Sequence, residues 1–326
     1  MRSTKLPLWI ERLTGLEPVP VPPHVFALDA LPYRLRYGSF HRGPQGFVFD
    51  DSLERELSPE LFGDGPLGAP LSDPKNFQEE VLRMSNSIEA AVTQASLVLP
   101  DSWLRMTFVE TGELPRRRRD RQEVLHWKLK RLVPFRVEEL RITAQRVTPF
   151  PQQEEPLRLL VAFGLERLLA QIEDAFLACG IEIGSITNTT LSLVASLQHC
   201  LDDGELGGLV SAFPDHYTLT FFTHDELVLY RYKPVGVAGR PDRQGVHRDL
   251  RLTDNFLQQH FSDRPVSRLF LACDEEDQPE WLDWLGGELG AEPEVLSFEH
   301  FRITRTQVGP SWLQTAPLLG AASLEV

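Results

Sequence analysis

Cysteine is scarce. Cys179, Cys200 and Cys273 are the three in 326 residues, far apart and odd in number. No CxxC pair and no Cys/His ligand spacing occurs, so neither a disulfide framework nor a zinc site is indicated, and the chain fits a reducing compartment. Long hydrophobic runs are also missing. A long stretch without Asp, Glu, Lys or Arg, Ile183–Leu201, is studded with Ser, Thr, Asn, Gln and His, which face lipid poorly. Near the N-terminus Pro7 and Glu11 interrupt the apolar stretch behind Arg2 and Lys5, so no secretory signal is expected. These absences point to a soluble, cytoplasmic protein. Positive charge is in deficit, 33 Lys and Arg against 47 Asp and Glu, a net −14. That balance disfavours nucleic acid as the partner of the whole molecule. Catalytic signatures are lacking too: there is no GxxxxGKS/T, GxSxG or HExxH, and His126, His199, His216 and His224 follow no ligand spacing.

What is present is ordinary globular material, 42% apolar and 25% charged, at a length where one hydrophobic core stops growing. Two lobes or a duplicated domain are expected. Leu6–Leu16 reads as a short amphipathic stretch, either an anchor for a membrane or partner or a tail folded onto its own domain. The run Pro18-Val19-Pro20-Val21-Pro22-Pro23 then forces an extended linker.

Strands are expected at Val25–Leu31, Tyr33–Phe40 and Phe47–Phe49, from short apolar or alternating runs between turn residues. After a Gly- and Pro-rich loop, Asp73 and Pro74 form a helix-start signature. Phe77, Val81, Met84, Ile88 and Ala91 then predict an amphipathic helix over Lys75–Thr93. A buried strand follows at Ala95–Leu99. The order returns later: strands at Gly208–Phe213, Tyr217–Phe222 and Leu227–Tyr232, a helix at Val246–Phe261 and a strand at Ser267–Ala272. A helix at Pro279–Leu289 and a strand at Glu294–Phe298 complete this half. Between the halves, strand Leu104–Glu110, helix Arg121–Val133, strands Leu140–Thr148 and Leu157–Phe163 and helix Glu166–Cys179 read as an inserted α+β module. A duplicated three-strand meander joined to βα units is the architecture of the ribonuclease H-like, actin-type α/β fold, with a nucleotide cleft between its halves. The expected divisions are 1–24 tail and linker, 25–94 plus 181–200 first lobe, 95–180 inserted subdomain and 201–326 second lobe.

Particular stretches resemble the type IV pilus assembly protein PilM family. They are Ser96-Leu97-Val98-Leu99-Pro100-Asp101-Ser102, and Trp127–Leu132 leading into Val133-Pro134-Phe135-Arg136-Val137-Glu138-Glu139. Others are Ala178-Cys179-Gly180-Ile181 with Ile186-Thr187-Asn188 and the helix Leu191–Leu197, and Leu319-Gly320-Ala321-Ala322. Asn188 stands where that family usually has Asp, and can still cap. The resemblance implies a divergent actin-like, FtsA-related protein with an inserted subdomain. It implies as partner the N-terminal cytoplasmic peptide of an inner-membrane PilN-like protein, with a PilO-like protein and motor ATPases further along a type IV pilus or type II secretion-like machine. Trp127, Val133, Pro134 and Phe135 are the candidates for the peptide groove, because the most specific motif lies there.

Actin-like proteins hold ATP and magnesium on loops that offer an acidic residue and bare backbone N–H groups. Here the first hairpin reads Ala27-Leu28-Asp29-Ala30-Leu31-Pro32-Tyr33: Asp29 is kept, but Leu31 and Pro32 replace small residues and Pro32 has no donor. In the second, Val210-Ser211-Ala212-Phe213-Pro214-Asp215, Ser211 stands in the carboxylate position and glycine is absent. The third reads Ala272-Cys273-Asp274-Glu275-Glu276-Asp277 in place of a Gly-Gly run. Its carboxylates would repel a polyphosphate; alternatively they are a solvated loop leading into the helix at Pro279. The expectation is a non-catalytic scaffold without cofactor, a pseudo-ATPase with degenerate positions Asp29, Ser211, Cys273 and Asp274. The alternative is an active ATPase or kinase on the same fold.

Pro115–Arg146 carries eleven Lys and Arg against four Asp and Glu, so this segment is +7 and the rest of the chain −21. Arg116, Arg117, Arg118, Arg119, Arg121, Lys128, Lys130 and Arg131 therefore form a basic face. It suits anionic lipid or an acidic protein segment, placing the protein at the inner membrane face, or it is a solvated loop with no partner. No aromatic stacking set for nucleic acid accompanies it.

Overall fold

The structure, a computed structural model, describes residues 24–43, 46–65, 67–112, 114–133, 136–148, 156–235, 241–301, 303–305 and 312–323. The Leu6–Leu16 segment, the proline linker, Pro134 and Phe135 lie outside these residues. The chain divides into two compact units, one of residues 9–37 and 52–188, the other of residues 1–8, 38–51 and 189–326.

The chain opens with β1 (His24–Ala30), β2 (Tyr33–Gly43) and β3 (Gly46–Glu56). Helix α1 (Pro74–Ser87) starts where Asp73 accepts a hydrogen bond from the Asn76 N–H at 3.1 Å, with Pro74 in its first turn. It stops at Ser87, earlier than the apolar period suggests. No Gly or Pro marks that stop; Ile88 leaves the helix in an extended conformation and is buried. Next come β4 (Gln94–Leu99), β5 (Leu104–Thr111), α2 (Arg118–Leu129), β6 (Leu140–Arg146), β7 (Leu157–Leu165) and α3 (Glu166–Ala178). Gly180, at φ +81°, closes α3, and the Gly180 and Ile181 N–H groups return to the carbonyls of Leu177 and Phe176. Then follows β8 (Glu182–Asn188).

One core of this unit packs α1 through Phe77, Val81 and Met84, and α3 through Leu168, Leu169, Ile172 and Phe176, against Phe26, Leu28, Leu97 and Leu99 of the strands. Burying each such side chain contributes about 2 kcal/mol. A second core sets Leu125 and Leu129 of α2 on Val109, Leu159, Val161 and Phe163, whose strands form a separate antiparallel sheet of order β5-β7-β6. The span 95–180 is therefore divided: β4 pairs in parallel with β1 and with β8, and α3 lies on the first core, whereas β5, α2, β6 and β7 make their own layer. The loop before α1 joins the two cores. Its Leu67 lies in the second core, and Gly68, at φ +70°, lets the chain pass Leu168 and Trp103, where a Cβ would sit 2.8 and 3.0 Å from their side chains.

The 189–326 part of the other unit begins with α4 (Thr189–Leu197), followed by β9 (Leu206–Ala212), β10 (His216–Phe222) and β11 (Leu227–Pro234). Helix α5 (Arg243–His260) starts on an Asp242 carboxylate that accepts from the Gly245 N–H at 2.6 Å. Then come β12 (Val266–Ala272), α6 (Gln278–Leu285), β13 (Pro293–Val295), β14 (Ile303–Arg305) and α7 (Trp312–Ser323). Helix α6 ends short of the expected Leu289, because Gly286 and then Gly287, at φ +75°, break it.

Strand order reveals the duplication. The five-stranded sheet runs β11-β10-β9-β12-β13, and the six-stranded sheet runs β14-β3-β2-β1-β4-β8. Both contain a consecutive three-strand meander, then two further strands added in parallel beside its first strand. Strand β10 is buried along its whole length.

Candidate functional site

The first expected phosphate hairpin joins β1 to β2. Its carboxylate, Asp29, makes an ion pair with the guanidinium of Arg36 on β2. Arg36 is 5% exposed, on the opposite side of β2 from the buried Leu35 and Tyr37, and its Nε and Nη1 make no hydrogen bond. At the tip Leu31 is half exposed and Pro32 contributes no N–H. A carboxylate neutralised this closely is a weak ligand for a hydrated cation.

The second hairpin joins β9 to β10. Ser211 is fully buried, in register with Thr218 of β10 and Ala272 of β12, and its hydroxyl makes no hydrogen bond. The turn closes on itself: the Phe213 N–H donates to the His216 carbonyl at 2.8 Å, and the His216 N–H donates back to Phe213 at 3.3 Å. The His216 ring stacks with Phe213 and with Tyr232, while its Nδ1 lies 2.6 Å from an Asp215 carboxylate oxygen. Rings and paired amides fill the place where bare N–H groups would be needed.

The third loop follows β12. Cys273 is buried, and burial, with the nearby Asp277 and Asp274 carboxylates, pushes its thiol up to about 12, so it stays protonated at neutral pH. The Asp277 N–H donates to the Asp274 carbonyl at 3.0 Å as the chain turns into α6. No group of three or more His, Cys, Asp or Glu side chains among the described residues is arranged to hold a metal ion.

On the separate sheet layer, the basic residues sort into two sets. Some are matched. Arg119 lies 3.3 Å from Glu123, Lys130 3.9 Å from Glu138, and Arg136 3.1 Å from Glu139. Arg141 clasps both Glu166 and Glu173 of α3 at 2.8 to 2.9 Å. That clasp raises Arg141 further, and its hydrogen bonds hold Glu166 below the usual carboxylate range. The others, Arg116, Arg117, Arg121, Lys128 and Arg131, have no carboxylate partner among the described residues; Arg121 reaches only the Arg116 carbonyl, at 3.5 Å. Arg118 begins α2, which has Arg117 at its N-cap position with no side-chain cap.

Trp127 is 56% exposed on the face of α2 turned away from Leu125 and Leu129, with Lys128 and Arg131 each 5.5 Å from its ring centre. Leu132, just past the helix, is equally exposed, and Val133 is half buried against the second core. Trp127 and Val133 thus lie on different surfaces of this layer.

Two clusters escape sequence reasoning. One is the Arg36 partner of Asp29. The other lies in the second unit, where the buried Asp249 of α5 accepts from the Tyr217 hydroxyl at 2.7 Å and from Lys233 at 2.8 Å. Burial and the Asp249 charge raise Tyr217 well above its ordinary value. Alternation along β2 marks Arg36 as facing away from Leu35 and Tyr37, but only strand register shows what it meets.

No family model and no curated sequence matches this chain. Solved structures do. One titled "PilM-PilN type IV pilus biogenesis complex" superposes with a TM-score of 0.70 at 14% identity, covering 94% of this chain and 98% of its own. A Bacteroides thetaiotaomicron protein described as having an actin-like ATPase fold gives 0.50 at 10% identity, covering 84% and 91%. With the repeated sheet order, these likenesses establish that the chain has the actin-like fold.

Proposed function

We propose that this chain is a non-catalytic actin-fold scaffold of a type IV pilus or type II secretion-like machine. It docks the cytoplasmic N-terminal peptide of a PilN-like membrane protein, next to a PilO-like protein and the motor ATPases. It works in the cytoplasm at the inner membrane face. The near-complete superposition on a chain of a PilM-PilN complex supports the setting. The ion pair between Asp29 and Arg36 carries the non-catalytic part of the reading. The residues present do not suit ATP and magnesium. The one retained acidic group is taken by a guanidinium, the second turn spends its amides on its own carbonyls, and the third places carboxylates where a polyphosphate needs donors.

The peptide groove of this reading lies between the β5-β7-β6 layer and the larger core of the first unit, with Val133 and the Pro134-Phe135 segment that follows it as its candidate residues. An extended segment there gains affinity from main-chain hydrogen bonds and a few apolar pockets. Among the described residues no helix is long and apolar enough to cross a membrane, which suits a scaffold recruited by a membrane partner. Calorimetry of the full chain tests both halves of the proposal. A synthetic PilN N-terminal peptide binds in the micromolar range, and ATP with magnesium gives no heat of binding. Micromolar ATP affinity overturns the non-catalytic reading, and a silent peptide titration overturns the docking reading.

A further inference from the structure

We propose that the outward face of α2, with the residues flanking its two ends, is a membrane-contact surface, in which Arg116, Arg117 and Arg121 engage anionic lipid headgroups and Trp127 and Leu132 enter the interfacial layer. It rests on the scaffold reading only for which membrane is meant.

Three observations converge. First, the exposed guanidiniums of Arg116, Arg117 and Arg121, together with Lys128 and Arg131, have no carboxylate partner among the described residues, although the chain as a whole is strongly acidic. Glu166 and Glu173 are engaged by Arg141, and Glu123, Glu138 and Glu139 by other cations; Asp120 and Glu110 are the remaining described carboxylates of this layer, fewer than the five unmatched cations. Second, two large apolar side chains stand among these cations, each 56% exposed. Trp127 has cations over its ring and an N–H on its rim, a composition suited to the depth where headgroups meet acyl chains. Third, the face is built on one helix about 18 Å long and the residues that flank it, Arg116 and Arg117 before and Arg131 and Leu132 after, and the helix's buried side is already spent on Leu125 and Leu129. A convex basic face with exposed apolar anchors fits a plane better than it fits an extended acidic peptide, which needs a groove.

Sedimentation of the full chain with vesicles tests this. Vesicles containing about one-third phosphatidylglycerol bind the protein, and pure phosphatidylcholine vesicles do not. Binding falls steeply as salt rises through physiological strength. The Arg116→Ala, Arg117→Ala, Arg121→Ala triple variant loses about a hundredfold in affinity, from roughly fivefold per arginine near the surface. Trp127→Phe removes most of the fluorescence quenching by brominated lipid, which a purely structural tryptophan would not report. All four positions are exposed, and unchanged circular dichroism of each variant verifies folding.

Equal binding to neutral vesicles, or full binding by the triple variant, overturns the proposal. So does binding to polyglutamate with none to vesicles, which reassigns the face to an acidic protein. Titrating the triple variant with the PilN peptide separates the two readings: retained peptide affinity with lost vesicle binding leaves the scaffold standing whatever the vesicles show of the wild type.

Discussion

Asp29 is the residue on which two readings of the protein diverge. In a working nucleotide site its carboxylate would be held apart from other cations, and removing it would leave stability unchanged or improved. Here it balances Arg36, which is buried and has two further nitrogens, Nε and Nη1, without acceptors. Asp29→Ala strands that guanidinium and is expected to destabilise the fold by about 3 kcal/mol. Urea unfolding reads this as a lower midpoint at unchanged slope, and a neutral or stabilising result would count against the pair as a structural replacement for nucleotide. The sequence shows Asp29 but not its partner, because cross-strand neighbours depend on register, which side-chain pattern alone leaves open.

Asp249 gives a pH-dependent counterpart. Burial pushes its carboxyl up, but hydrogen bonds from Lys233 and Tyr217, with the charges of Lys233 and Arg248, outweigh that and hold it below its ordinary value. A carboxylate lowered by folding adds stability above its unfolded pKa of about 4, and that stability disappears as pH falls through the folded value. The stability gap between wild type and Asp249→Asn should therefore be constant from pH 7 to about pH 5 and close below about pH 4. A gap independent of pH down to acid unfolding would mean that the charge on Asp249 contributes nothing.

At the scale of elements, the legible parts were those with local chemistry. The cap at Asp73-Pro74 and the alternating strands of both meanders are visible in the sequence and present in the structure. The end of α1 was not legible, since Ile88 continues the apolar period yet turns inward, a tertiary preference overriding a local one. The assignment of β4 and α3 to the larger core was equally hidden, because it follows from pairing with β1 and β8, distant in sequence.

Packing between α4 and α7 makes an element-scale prediction. A Cβ on Gly320 would lie 2.3 Å from the Ser192 carbonyl oxygen and 3.0 Å from the Leu193 nitrogen, both backbone atoms that cannot rotate away. Gly320→Ala should force the helices apart and cost roughly 2 kcal/mol or more despite the better helix propensity of alanine. Thermal unfolding checks it, and a stabilised variant would show that the two helices accommodate a methyl group at this crossing. Helix α2 makes the opposite case. Arg117 occupies an N-cap position that favours Ser, Thr, Asp or Asn, beside like charges that oppose the helix dipole. Arg117→Ser should raise stability by about 0.5 to 1 kcal/mol while weakening vesicle binding, the signature of a residue kept for contact rather than for folding.

At the scale of the whole molecule, charge is segregated: one segment of +7 inside a chain of net −14. Acidic residues elsewhere would repel both anionic lipid and polyphosphate, so on the membrane-contact proposal the basic layer alone would set the orientation, and a nucleotide would meet an unfavourable field. A ligand that binds only the folded state stabilises it by about 2.7 kcal/mol at a hundred times its Kd. Millimolar ATP with magnesium would reach that level if the site held nucleotide with Kd near 10 µM, on the order of a rise of several degrees in Tm. The expected result is no shift with ATP, ADP or magnesium, alone or together, whereas the PilN peptide at the same concentration raises Tm. A nucleotide-dependent rise would mean that Arg36 releases Asp29 when a stronger charge arrives, and the fold would then have kept its ancestral ligand.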